Sequence, residues 1–310
     1  MITKRMCLVL GAGASAPYGF PTGSELMQQS KQMPDEWWTL AHELLGTTKD
    51  THDEFIRELD QSGAESLDEF AGKHPHYKDY AKALIAYRIG DCERQGRILK
   101  TERSIDWLNF LVRRLVDGPT LSELANVELS FVTFNFDRSL EEGLLLRLSS
   151  TYRNAGELDA AIRTRVVDAI SKWKIIHVHG DLGELREFAS GGEGRTYEKH
   201  AAPQAIQLAM QRIILLNDAQ EASPEFQSAR LLIRDAQFVL FLGFGFHRLN
   251  CTRVIPEKWT ADHPTVYCTT QNMKTGRVNK AVSYFKGVSP QMRSVDSVEL
   301  LLELESHFSN

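Results

Sequence analysis

The chain has 310 residues, 42% of them hydrophobic and 25% charged, which is typical of a folded protein with one large domain or two ordinary ones. Its net charge of −5 argues against a surface that attracts nucleic-acid phosphates. No apolar run approaches the roughly 20 residues of a membrane helix, and Met6–Leu10 is too short for a signal-peptide core. We therefore expect a cytoplasmic protein with neither nucleic acid nor a membrane as a partner.

Five short apolar runs predict buried strands, because continuous rather than alternating hydrophobicity is typical of parallel sheets covered on both faces. In chain order the runs are Met6–Leu10, Leu129–Phe134, Lys174–Val178, Phe238–Leu242 and Thr265–Cys268. The helical patterns between the later runs are Ser139–Leu148, Ala160–Trp173, Pro203–Ala219 and Pro224–Asp235. Strands that alternate with helices predict an α/β fold with a parallel sheet and helices on both faces.

The first two predicted strands are separated by about 120 residues, far more than one crossover helix needs. Three segments of this stretch have helical periodicity: Asp53–Leu59, Tyr77–Ile98 and Ile105–Leu115. We expect a single domain over residues 1–310, in which a core of residues 1–29 and 120–310 carries a large helical insertion at about 30–119.

The first strand runs into the glycine turn Gly11-Ala12-Gly13-Ala14-Ser15. Glycine lets a backbone turn sharply and approach a pyrophosphate, and a helix that follows supplies N–H donors. Ala16 replaces the third glycine of the usual dinucleotide pattern, and the acidic residue expected about 20 positions later is missing. The motif alone therefore supports a dinucleotide site and an ordinary strand-to-helix turn about equally.

Polar residues follow the second strand in Thr133-Phe134-Asn135-Phe136-Asp137. Ligands of open α/β sheets lie beyond the carboxyl ends of the strands, so Asn135 is a candidate for a hydrogen bond to a ribose hydroxyl. Asp137 either shapes the same site or caps the helix that begins near Ser139. The alternative for Asn135 is an ordinary turn residue.

The third strand ends in His177-Val178-His179-Gly180-Asp181. Residues two apart on a strand face the same side, so these histidines are candidates for half of a metal site. No cysteine pair or carboxylate cluster completes it, and we expect no zinc. A general base is the better interpretation of His179, because an imidazole pKa of about 6.5 suits proton transfer at neutral pH. A structural role is its alternative, and the favoured role of His177.

The fourth strand runs into a second glycine turn, Gly243-Phe244-Gly245, which admits the other end of a dinucleotide in some sheets. Taken in order, the four segments, with Gly19-Phe20-Pro21 after the first turn, resemble the sirtuin family. The resemblance implies a Rossmann-like sheet that uses NAD as a substrate, with Asn135 and His179 as catalytic residues. The residues it implies for NAD binding are Gly11, Ala12, Gly13, Ala14, Ser15, Pro21, Thr133, Asp137, Gly243 and Gly245.

The chain also departs from deacylating sirtuins. Those enzymes carry an acidic residue and Phe-Arg where this chain has Thr22-Gly23-Ser24, and a four-cysteine zinc module where its four cysteines are scattered. It is more similar to the bacterial sirtuin-like branch that hydrolyses NAD in anti-phage defence, although Arg248-Leu249-Asn250 stands where that branch often has an aspartate.

The similarity to this branch implies an NAD hydrolase that releases nicotinamide and ADP-ribose. The alternatives are a protein deacylase or ADP-ribosyltransferase, and a module that senses NAD without catalysis. A hydride-transferring dehydrogenase is disfavoured, because it has no role for Asn-x-Asp and His-Gly at these strand ends. A toxic hydrolase must be held inactive, so we expect a homo-oligomer or a regulatory partner from the same defence system. The helical insertion, with Trp37, Trp38 and Trp107, is the expected surface for self-association, although such aromatics more often lie in a core.

Overall fold

One parallel sheet organises the protein in the computed structural model, which describes residues 4–98, 100–189, 194–197, 202–218, 223–260 and 264–308. Its strands are β1 (Met6–Leu10), β2 (Leu129–Thr133), β3 (Lys174–His177), β4 (Phe238–Leu242), β5 (Thr265–Thr269) and β6 (Gln291–Arg293). Their order is β3-β2-β1-β4-β5-β6, the order of Rossmann sheets, in which ligands bind where the direction of the connections reverses. The predicted α/β fold is confirmed, and the reversal lies between β1 and β4.

Helices connect the strands. In chain order they are α1 (Ala12–Ser15), α2 (Gly23–Gln29), α3 (Asp35–Leu45), α4 (Lys49–Ser62), α5 (Leu67–Lys73), α6 (Lys78–Arg94), α7 (Trp107–Leu115), α8 (Leu121–Leu124), α9 (Ser139–Tyr152), α10 (Asp159–Ile170), α11 (Pro203–Arg212), α12 (Pro224–Asp235), α13 (Arg248–Val254), α14 (Thr275–Val282), α15 (Ser297–Glu303) and α16 (Glu305–Phe308). Across the described ranges, no helix has the length and apolar character needed to cross a membrane.

Alternate residues of β1 point into two different cores. Leu8 and Leu10 belong to the larger core, which also contains residues of the helices between β1 and β2, such as Phe55 and Tyr80. Val9 belongs to a second core on the other face, built with α12, α13 and α14. Both faces of the sheet are therefore covered, which explains why every residue of β1 is buried.

The large core decides where the tryptophans lie. Trp37 is 0% exposed and Trp107 is 2% exposed, and Trp38 packs against the same core. Trp37 and Trp107 therefore lie in the core, the stated alternative for these aromatics, and the insertion as a surface for self-association stays a prediction. The division into a core and an insertion stays a prediction.

The structure differs from the sequence-based expectation at two elements, a helix that ends earlier and a strand that was not expected. The helix predicted over Pro203–Ala219 ends at Arg212, because Ile213 is extended and the Ile214 N–H donates to the carbonyl oxygen of His179 (2.9 Å). Ala219 lies outside the described residues. Strand β6 was not predicted, because its three residues, Gln-Met-Arg, form no apolar run and two of them are exposed at the sheet edge.

Candidate functional site

The two glycine turns lie against each other at the reversal point of the sheet. The Gly11 N–H donates to the carbonyl oxygen of Leu242, and the Gly13 N–H donates to that of Gly243, each over 3.0 Å. A Cβ at Gly11 would lie 2.5 Å from the Gly243 oxygen, and a Cβ at Gly243 would overlap the Ala14 nitrogen. Side chains are therefore excluded where the ends of β1 and β4 touch.

The N–H groups of the first turn are less available than its sequence implies. Helix α1 has only four residues, and its Gly13 and Ala14 N–H groups already donate to Gly243 and Gly11 carbonyl oxygens. Trp107 also reaches back to this turn, donating from Nε1 to the Ala14 oxygen over 2.7 Å. A phosphate here would meet a rigid turn with few free donors. Pro21, the other predicted contact of this segment, is buried before α2.

Asn135 joins this turn to the end of β2. Its Nδ2 donates to the Gly11 carbonyl oxygen over 3.0 Å and to Ser15 Oγ over 2.8 Å, and its backbone N–H donates to Thr133 Oγ1. The Asn135 side chain is 8% exposed, and its Oδ1 has no hydrogen-bond partner among the described residues. A buried acceptor without a donor is unfavourable by about 1–3 kcal/mol, so this oxygen is suited to a hydroxyl donor from a ligand.

Asp137 helps to begin α9. Its Oδ1 accepts hydrogen bonds from the backbone N–H of Ser139 (3.1 Å) and from the Ser139 hydroxyl. Burial raises the pKa of the Asp137 carboxyl, against the lowering effect of hydrogen bonds from Ser139 and Ser15. Asp137 therefore holds the turn that precedes α9, whose N-cap residue is Arg138, and its role in ligand binding stays a prediction. Ser139 Oγ lies 3.4 Å from Ser15 Oγ, which connects this turn to the first glycine turn.

His179 lies just beyond β3 and is 3% exposed. Its Nδ1 lies 3.1 Å from the Ile214 carbonyl oxygen, and its Nε2 lies 3.1 Å from Asn250 Oδ1. Burial lowers the pKa of His179, and the Asp68 carboxylate on α5 opposes that shift. The ring is therefore neutral at pH 7 and carries one proton.

The partner atoms decide which nitrogen holds that proton. The Ile214 carbonyl only accepts, so Nδ1 must be the donor and Nε2 carries the lone pair. The structure places Asn250 Oδ1 beside Nε2, so with this tautomer the amide must turn by 180° to present its N–H to Nε2. His179 is thus poised as a base at Nε2, with Asn250 in contact with the basic atom.

Gly180 has a φ of +74°, and a Cβ there would overlap the Arg212 oxygen, which explains the glycine after His179.

His177 has different partners. Its Nδ1 lies 3.0 Å from the Asn135 carbonyl oxygen and its Nε2 lies 2.7 Å from Glu141 Oε1. The two histidines do not share a face, because β3 ends at His177 and strand alternation stops there. Within the described part of the chain, no group of three or more His, Cys, Asp or Glu side chains has an arrangement that could hold a metal ion.

The structure adds residues that sequence reasoning missed. Glu141 and Asn250 contact the two histidines, and Ser139 contacts Asp137. The sequence contained one indication of Asn250, because Arg248-Leu249-Asn250 stands where the sirtuin-like branch often has an aspartate. A pocket of about 560 Å³ adjoins the sheet edge at β3 and is lined by His177 and Glu141 among others.

The chain matches no protein-family model and no curated protein sequence. Nine solved chains are similar to it, and one of them contains an ADP-ribose ligand. It is a mutant Sir2 homologue in complex with 2′-O-acetyl ADP ribose, with a TM-score of 0.45 and 13% sequence identity, over 99% of this chain and 93% of that chain. At 13% identity the two chains have few side chains in common, so the chemistry of the present site follows from its own residues.

Gly245 differs from the other turn glycines. It is exposed, and a Cβ there would meet no atom within 4 Å. The neighbouring Phe246 has a φ of +52°, which is an unfavourable conformation for a bulky residue. Open space and a strained backbone therefore occur together after β4, beside the paired glycine turns.

Proposed function

We propose that the protein binds NAD at the reversal point of the sheet and hydrolyses its nicotinamide–ribose bond. The observation that carries this proposal is the unpaired Oδ1 of Asn135, on an amide that is locked to the glycine turn through Gly11 and Ser15. A dinucleotide in the crevice of a Rossmann sheet lies with its pyrophosphate at this turn. A ribose hydroxyl beside it is a donor that this oxygen lacks. The motif resemblance to sirtuins supports the same ligand.

The reaction adds water to NAD and yields nicotinamide, ADP-ribose and a proton. Nicotinamide leaves with the electron pair of the glycosidic bond, so positive charge develops on the ribose, as in glycoside hydrolysis. Asn135 Oδ1 orients the ribose by accepting a hydroxyl hydrogen bond. The Nε2 of His179 takes the proton of the attacking water, either directly or through a ribose hydroxyl, once Asn250 releases that atom. A positioned base contributes about 10²–10⁴-fold.

The test is release of nicotinamide and ADP-ribose from NAD by the purified chain. We expect His179→Ala and Asn135→Ala to lower kcat by about 10²–10⁴-fold, while thermal melts report whether each variant folds. His42→Ala, on the exposed side of α3, is the matched histidine control and should retain the parent rate. Folded His179→Ala and Asn135→Ala proteins that kept this rate would refute the assignment.

A specific contact favours a second candidate. Asn250 occupies the basic nitrogen of His179, and two N–H groups of α1 are already engaged, which suits a module that binds NAD without cleaving it. Calorimetry separates the two functions, because a sensor binds NAD with no release of nicotinamide. If the protein is a sensor, Asn250→Ala still releases no nicotinamide. If it is an enzyme, the same replacement changes the rate of nicotinamide release.

An NAD-depleting enzyme must be restrained until it is needed. We therefore also propose regulation by self-assembly or by a partner protein, and a role in anti-phage defence, both on the basis of the motif resemblance. Size-exclusion chromatography with and without NAD tests the first part. A monomer that is fully active on its own would argue against it.

A further inference from the structure

Asn135 is held in place by contacts to its side chain and by a contact to its main-chain carbonyl. On one side, its Nδ2 donates to Gly11 and Ser15. On the other, its own carbonyl oxygen faces Nδ1 of His177 over 3.0 Å. Because the side chain and the carbonyl belong to the same residue, a shift of this peptide would move the unpaired Oδ1.

The partners of His177 require a cation. The Asn135 carbonyl and the Glu141 carboxylate are both acceptors, so both ring nitrogens must carry protons. Burial alone would lower the pKa of His177, but Glu141, together with Asp181 and the Asn135 carbonyl, outweighs burial and raises the pKa to about 9. The charged residues that line the pocket with His177 are Arg138 before α9 and Glu141 within it, Asp181 and Glu184 after β3, Arg212 at the end of α11 and Glu225 at the start of α12.

Stability does not by itself require an ion pair at this position. The side chains of His177 and Glu141 are 9% and 13% exposed, and apolar residues often replace a buried ion pair with no loss of stability. An apolar residue at 177 would also fit beside the apolar part of the adjoining pocket, where Ile175 and Ile176 lie. It would not, however, hold the Asn135 carbonyl.

We propose that His177, held by Glu141, is a positioning residue that fixes the Asn135 peptide for the cleavage of NAD. The inference rests on the proposed function, since it assigns His177 a role in that same site. When the imidazolium loses one proton, the remaining proton stays on Nε2, which faces the stronger carboxylate acceptor. Nδ1 then has no hydrogen to donate, and the Asn135 carbonyl loses its partner.

Two isosteric variants separate this role from simple packing. His177→Asn places an amide N–H near the position of Nδ1, whereas His177→Gln places it nearer to Nε2. We expect His177→Asn to keep kcat within about 5-fold of the parent, and His177→Gln to lower kcat by about 10²-fold with little change in KM. Thermal melts should be similar for the two variants.

The pH profile gives a second readout. The parent kcat should fall above pH 9, where His177 loses its proton, and His177→Asn should remove this fall because an amide does not titrate. Glu141→Gln should shift the fall to lower pH by at least about one unit, since one pKa unit corresponds to about a tenfold change in proton affinity. A purely structural histidine would produce neither change.

The outcomes are distinguishable. If the parent releases nicotinamide but the Asn and Gln variants lose activity equally, or the alkaline fall persists in His177→Asn, the positioning role is refuted and the hydrolase stands. If the parent releases none, the proposed function fails and this inference falls with it. ¹⁵N NMR of histidine-labelled protein, assigned with His177→Asn, checks the charge without turnover. Two protonated ring nitrogens at pH 7 are expected, and a neutral ring would overturn the proposal.

Discussion

Replacement of Gly243 by alanine tests the contact between the two glycine turns most directly. Gly243 has a φ of +56°, and a Cβ there would overlap the Ala14 nitrogen and lie 2.6 Å from the Gly13 Cα. These atoms are backbone, so no side chain can rotate away. The variant must therefore separate the ends of β1 and β4 or lose the turn.

The magnitude follows from two separate terms. A residue with a Cβ in the left-handed region costs about 1–2 kcal/mol, and overpacking a filled interior costs about 1–3 kcal/mol. We expect Gly243→Ala to lower the free energy of unfolding by about 2–5 kcal/mol.

Two other glycines separate these terms. Gly63 has a φ of +65° with no atom within 4 Å of a Cβ, so Gly63→Ala should lose only the conformational part, about 1–2 kcal/mol. Gly245 also has open space around a Cβ and is not among the glycines with positive φ. Gly245→Ala should therefore change stability by no more than about 0.5 kcal/mol.

Urea unfolding followed by circular dichroism measures all three variants. From most to least stable, the expected order of the variants is Gly245→Ala, Gly63→Ala and Gly243→Ala. A Gly243→Ala protein as stable as Gly245→Ala would refute the packing of the turns. Calorimetry with NAD adds a second readout, because a methyl group in the open space at residue 245 should weaken binding without destabilising the fold.

Three further predictions concern other buried groups. Trp107→Phe leaves a carbonyl of the glycine turn without its donor and should lower stability by about 1–3 kcal/mol in urea unfolding. The pKa of His177 rises from 6.5 to about 9 on folding. Protonated His177 therefore adds about 3 kcal/mol to the free energy of unfolding below pH 6.5, and this contribution disappears as the pH rises through 9. Unfolding at pH 6 and pH 9.5, in the parent and in His177→Asn, measures it. Glu93→Gln breaks an ion pair with Arg138 whose side chains are 0% and 2% exposed, and thermal or urea unfolding should show a loss of about 3–5 kcal/mol.

Matched controls accompany these variants. Trp173 is also buried, but its Nε1 has no partner among the described residues, so Trp173→Phe reports the loss of ring volume alone. Glu65→Gln breaks an exposed pair with Arg277 and should cost at most about 1 kcal/mol. Equal losses of stability in Trp107→Phe and Trp173→Phe, or in Glu93→Gln and Glu65→Gln, would contradict the assigned contacts. The same pH dependence of stability in the parent and in His177→Asn would contradict the assignment of His177.

Local patterns in the sequence determined the elements of the fold. Continuous apolar runs predicted β1 to β5, because strands buried on both faces are rich in apolar side chains. The burial predicted for the third run was wrong, because β3 lies at the edge of the sheet and Lys174 is exposed. The glycines at 11, 13 and 243 marked places where the backbone comes close to another backbone, and the turn at Asp137 could be expected because its partner, Ser139, is two residues away.

Only the tertiary structure decided how the candidate site is connected. Asn135 donates to residues 120 and 124 positions away, His179 contacts Ile214 and Asn250, and α11 stops early to allow the first of these contacts. Such contacts depend on how the β1, β2 and β4 ends meet, which periodicity within one segment does not encode. For the same reason the sequence placed both histidines on one face, whereas the end of β3 at His177 directs one toward Glu141 and the other toward Asn250.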